Sequence, residues 1–148
     1  MHRARITAVA LIAIGLPLMG CKKDNVAEKH HPAKVEESGQ KGILQVTLEA
    51  RAAERIGLET TAIGEEQVTL AGGPAMRKVL PYSALMYDKK GGTWTFTSPK
   101  PLVFVRQPVV VERIDGDRVI LAEGPPAGTV IATVGAAQLM GVEHKYGH

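Results

Sequence analysis

Apolar and polar residues alternate one for one in ILQVTLE, where Leu44, Val46 and Leu48 fall on one side. A two-residue period of this kind is the mark of a half-buried strand. Strand signals return in LETTAI, EQVTLA, KVLPYSALMY, TWTFT, LVFVRQPVVVERI, RVILA and TVIATVG, so the body is expected to be mainly β. Turn chemistry separates them. Gly72-Gly73 and Pro74 break the chain, Asp88 to Gly92 form a hairpin loop, and EGPPAG makes a further turn. Asp115-Gly116 is among the strongest short hairpin signals. In TWTFT, Trp94 and Phe96 point to one side and the threonines to the other. Pro108 requires a sheet edge or a bulge, because it brings no N–H to a ladder. Helical pattern is confined to EARAAERIG, closed by Gly57, and AAQLMG. The fold class is therefore a small, mainly β domain with one or two short helices.

Ahead of this body the chemistry changes. His2, Arg3 and Arg5 precede an apolar run from Ile6 to Met19 that contains Gly15 and Pro17. The run is shorter than the roughly 20 residues a spanning helix needs, and it has the order of an export signal. Leu18-Met19-Gly20-Cys21 resembles the bacterial lipobox. The resemblance implies cleavage between Gly20 and Cys21, a diacylglyceryl thioether on the Cys21 sulfur and acylation of the new amino group, with two or three chains holding the protein on a membrane. A single cysteine leaves no disulfide partner, so stability must come from packing. Losing Arg3 and Arg5 with the leader lowers the formal charge from +3 to about +1. The electrostatic case for a nucleic-acid partner goes with it. Lys22 to Gly42 hold no aromatic and few aliphatic residues, a composition that reads as a flexible tether. The expected divisions are a signal peptide over 1–20, a lipidated tether over 21–42, a β-rich domain over 43–143 and a flexible tail over 144–148.

The body then carries a family resemblance. VLPYSALMYDKKGGTWTFT followed by FVRQPVVVERIDGDRVILAEGPPAGTVIATVGAAQL is similar to the C-terminal part of periplasmic adaptor subunits, or membrane-fusion proteins, of resistance-nodulation-division efflux pumps. The carriers are Pro81 to Ala84, Arg106 to Val111, Gly116-Asp117 and Gly124 to Gly135, in that order. VTLEARAAERIGLETTAI resembles the entry to the same region in some metal-efflux adaptors. The resemblance spans about residues 44 to 140 and implies a β-roll or barrel-like membrane-proximal domain. The chain has no room for the lipoyl-like domain, helical hairpin and β-barrel domain of a full adaptor. Gly72 to Pro74 lie near where those domains would be inserted.

His30-His31, and His144 with His148, could seed a metal site only with a third ligand, so solvated histidines and no metal are expected. Met76, Met86 and Met140 read as gap-fillers in a core rather than Cu(I) ligands. Ser83 in PYSAL lacks a placed base, and Gly72-Gly73-Pro74 lacks the lysine of a phosphate loop. Tyr82, Tyr87, Trp94 and Phe96 are expected to pack the sheet, with an exposed aromatic docking patch as the alternative. Arg106 and Arg113 are expected on a wet strand face, solvated or ion-paired.

The expectation is a non-enzymatic accessory or reduced adaptor subunit of an efflux system. It would need no cofactor, would be lipid-anchored on the periplasmic side of the inner membrane, and could assemble as an oligomer. Its partner would be a pump or companion adaptor, contacted through Trp94, Phe96 and Arg106. A small metal-binding lipoprotein beside a heavy-metal exporter, and an orphan structural lipoprotein, are the alternatives.

Overall fold

The computed structural model describes residues 31–146. The leader, its Gly20-Cys21 junction and His30 lie outside them, as does His148.

The described body is mainly β. It comprises β1 (Ala33–Glu37), β2 (Leu44–Leu48), α1 (Ala50–Arg55), β3 (Glu59–Ala62), β4 (Gly64–Leu70), β5 (Gly73–Pro81), a 3-10 turn (Tyr82–Ala84) and β6 (Met86–Tyr87). These are followed by β7 (Thr93–Lys100), β8 (Val103–Pro108), β9 (Val110–Asp115), β10 (Arg118–Glu123), β11 (Val130–Val134) and α2 (Ala136–Tyr146). All strand pairs are antiparallel. One sheet runs β1-β2-β8-β7-β11-β3, with β6 also paired to β7; the other runs β4-β5-β10-β9. The sheets remain open, so the barrel-like part of the expectation is corrected to two sheets joined at corners.

The corners follow from the sequence. Pro108 ends β8, and Val109, 4% exposed, carries the chain into β9 of the second sheet. LVFVRQPVVVERI is therefore two strands in two sheets rather than one long strand. Ile63, 2% exposed, makes the same passage from β3 to β4. Both corner residues pack with Leu80, Leu85, Val119, Leu121 and Ile131 in a core that joins the sheets. A second core lies beneath the helices, where Phe96, Phe104, Val46 and Leu48 meet Ala53, Ala136 and Leu139.

Two boundaries change. Ala33–Glu37, inside the expected tether, form β1 and pair with β2 from Ala33 opposite Leu48 to Glu37 opposite Leu44. AKVEE was missed because its charges dominate its composition, although Ala33 and Val35 keep the strand period and Ala33 is buried. Residues 144–146, expected in a tail, complete the last turn of α2.

α1 stops for a local reason. Gly57 takes a left-handed φ of 62°, and its N–H donates to the Glu54 carbonyl while that of Leu58 donates to the Ala53 carbonyl. This is the Schellman arrangement, and Leu58 and Ala53 also share the helix-covered core.

Candidate functional site

The hairpin loop foreseen over Asp88 to Gly92 is built around one carboxylate. Asp88 Oδ1 accepts the backbone N–H groups of Lys90 and Gly92, both at 2.8 Å. Its Oδ2 accepts the Trp94 indole N–H at 2.9 Å. These bonds favour the ionised form, so the Asp88 carboxyl is held below the usual range, chiefly by the Trp94 indole, then by the two backbone donors, with the Arg106 charge assisting. A side chain at position 92 would strike Asp88 Oδ2 at 2.7 Å and crowd the indole nitrogen at 3.0 Å, which explains glycine there.

From Trp94 the network continues inward. The Arg106 guanidinium stacks over the Trp94 ring, 4.5 Å from its centroid. Its Nε donates to Glu143 Oε1 on α2 at 2.9 Å, and its Nη2 to the Gly42 carbonyl at 3.4 Å. Glu143 Oε1 also accepts the Leu44 N–H at 3.3 Å. One chain of contacts thus ties the Asp88 loop, β7, β8, α2 and the turn between β1 and β2. Glu143 Oε2 is buried without a partner, so the Arg106 ion pair bears most of the burden of that charge.

This arrangement revises the expected interface. Phe96 is 0% exposed and belongs to the core, where it cannot meet a partner. The Arg106 side chain is 15% exposed and that of Glu143 only 5%; Arg106 is ion-paired as one reading had it, but on a covered face and not a wet one. Trp94 is half-buried beneath Arg106. None of the three offers a free side chain; Phe96 belongs to the core, while Trp94 and Arg106 act with Glu143 as a structural lock. Arg113 is exposed, with its Nη1 donating to the Thr69 carbonyl at 3.3 Å.

The exposed aromatics are the other two. Tyr82 and Tyr87 are 47% and 53% exposed, so the expectation that they pack the sheet is corrected: both lie at the surface. They flank the turn between β5 and β6, which is pinned when the Tyr82 N–H donates to the Asp117 carbonyl at 2.7 Å. Partial loss of hydration, then the charge and hydrogen bond of Tyr82, raise the Tyr87 phenol above its ordinary value. Ser83 sits exposed between them on the 3-10 turn.

Met76 is 53% exposed on β5 of the second sheet, while Met86 and Met140 pack against the helix-covered core. The gap-filler reading therefore holds for two of the three. The His144 ring hydrogen-bonds the Met140 carbonyl at 2.9 Å along its own helix. Among the described residues no group of three or more His, Cys, Asp or Glu is placed to hold a metal ion, and no helix is long and apolar enough to cross a membrane.

Sequence reasoning missed two ion pairs on the outer face of the second sheet. Arg77 of β5 reaches Glu112 of β9 at 2.7 Å across β10, and Arg118 of β10 reaches Glu66 of β4 at 2.7 Å across β5. The intervening strands carry Ile120 and Val79, which with Val68 form a small buried cluster. Each pair bridges two strand spacings, a relation that no local sequence pattern encodes.

No family model, curated protein or solved structure matches this chain.

Proposed function

We propose that this chain is a lipid-anchored accessory or reduced adaptor subunit of a periplasmic efflux system, held at the inner membrane through Cys21 and acting by docking on a pump. The observation that carries the docking reading is the exposed Tyr82–Tyr87 pair on a strand-to-strand connection fixed by a backbone hydrogen bond. Tyrosine supplies large contact area at little conformational cost, and such residues on a rigid support are where interface energy concentrates. The pair falls in PYSALMY, within the stretch that resembles the adaptors. The lipobox-like LMGC supports the anchor.

Two measurements test the reading. Cys21→Ser should abolish incorporation of labelled fatty acid; continued labelling would remove the anchor. Tyr82→Glu with Tyr87→Glu should reduce co-purification of the cross-linked inner-membrane pump at least tenfold, with circular dichroism unchanged. Full capture by that folded double variant would dismiss the tyrosine face as the docking surface.

A further inference from the structure

The far end of the body from the Asp88 loop has a different character. β7 and β8 are joined there by the two-residue turn Pro101-Leu102. Leu102 has a φ of 62° and is the one non-glycine residue with a positive φ among the described residues. Proline followed by a left-handed residue is the pattern of a type II turn, whose third position normally takes glycine or asparagine. A leucine there is held in strain, and strain of this kind is worth relating to function.

β7 and β11 pair at a single position, Ile131 opposite Thr97, and an open cleft beside them is lined mostly by the apolar Leu58, Val130, Pro99, Pro101 and Leu102, with Phe104 in its wall, together with the polar Thr60, Ser98 and Lys100. Val130 is 39% exposed, and Pro99, Lys100 and Pro101 are exposed beside it.

The chain enters the body at this same end. The Pro32 carbonyl accepts the Glu49 N–H at 3.0 Å, Ala33 lies opposite Leu48, and the Leu48 N–H donates to the Leu102 carbonyl at 2.9 Å. Position 31 is ten residues from Cys21, a link that reaches at most about 36 Å when fully drawn out. The eight residues of β7 separate the Asp88 loop from the hairpin tip, about 26 Å at strand rise. Seating the Asp88 end on a bilayer would use most of the link, whereas seating the tip needs little of it.

We propose that the Pro99–Leu102 tip, with Leu58 and Val130, is a lipid-contacting surface that rests on the bilayer in which Cys21 is anchored. The proposal deepens the anchored reading above and rests on it. Leu102 is half-buried and packs against the helix-covered core, which anchors the strained turn, so the apolar groups the tip leaves exposed are Pro99, Pro101 and Val130; Lys100 beside them can reach headgroup phosphates while its stem lies along the apolar surface.

The test uses the full mature chain, produced in a lipid-processing host and reconstituted in phosphatidylethanolamine–phosphatidylglycerol liposomes. An environment-sensitive dye is attached to Leu102→Cys, to Pro99→Cys as a second tip position that leaves the strained residue intact, and to Lys90→Cys at the opposite end. An acylated Cys21 sulfur is a thioether and takes no dye, so labelling of the parent chain reads the anchor separately. The expected result is a blue-shifted emission at both tip positions and quenching by brominated acyl chains at least threefold stronger than at position 90. Equal quenching at the two ends, or stronger quenching at position 90, overturns the lipid-facing tip while leaving the anchor intact. Dye on the Cys21 of the parent chain overturns the anchor and the tip proposal with it.

Discussion

Arg106→Ala measures what the Trp94–Arg106–Glu143 lock contributes. The substitution removes the guanidinium from a carboxylate whose side chain is 5% exposed and whose Oε2 already lacks a partner. Only the Leu44 N–H at 3.3 Å then remains on that group. Breaking a buried pair by removing one partner costs about 3–5 kcal/mol, and stacking on Trp94 adds about 0.5–1 kcal/mol. A body of this size has a total stability of roughly 6–17 kcal/mol. The variant should therefore melt roughly 15–25 °C lower. Arg106→Met combined with Glu143→Leu takes both charges out of the interior and should recover most of the loss, ending within about 2 kcal/mol of the parent. Urea and thermal unfolding followed by circular dichroism give both numbers. An Arg106→Ala cost below about 1 kcal/mol, or a double variant as unstable as the sum of its singles, would refute the claim that burial makes this pair critical. Arg106→Glu, which looks harmless on an exposed strand, would instead set two carboxylates against each other in a covered site.

Two further outcomes follow from local geometry. Because the Asp88 carboxyl is held below its ordinary value of 3.8, its contribution to the loop is complete above that value and is lost as pH falls through the lowered one; the Trp94 indole N–H resonance should move only below pH 3.8, and a transition above it would contradict the assignment. Gly135 has a φ of 89°, and a Cβ there would meet Ile56 at 3.0 Å and Leu58 at 3.2 Å, so Gly135→Ala should lower stability by about 1–3 kcal/mol in urea titrations, and a neutral result would mean that the junction of β11 and α2 relaxes freely.

Much of the fold was legible because it is written in short-range signals. The period of LQVTL, the Gly57 helix stop and the turns at Asp88 to Gly92 and Asp115-Gly116 each act within a few residues, and each has its structural counterpart. Pro108 calls for a sheet edge or a bulge, whereas in the structure it ends β8, an inner strand, and the sequence does not say which way the chain goes after it. That depends on Val109 finding Val119, Leu121 and Ile131 in a shared core, contacts between residues at least ten positions apart. β1 was hidden for a related reason: its Lys34 and Glu36 pair with each other on the solvent side, and its place in the sheet is set by β2 rather than by its own hydrophobicity.

The site was legible in its residues and not in their roles. Trp94, Phe96 and Arg106 stand on neighbouring strands, as their spacing suggests, with Phe96 directly opposite Arg106. What decides their exposure is α2, which brings Glu143 onto Arg106 from 37 residues away. An arginine on a bare strand would face water, and under a helix that delivers a carboxylate it becomes an internal fastening. The same covering leaves Tyr82 and Tyr87 outside, since the turn that carries them is bonded to Asp117 at the hairpin of the other sheet and not to a helix. Aromatic residues alike in the sequence thus divide into core and surface according to which element the topology lays over them.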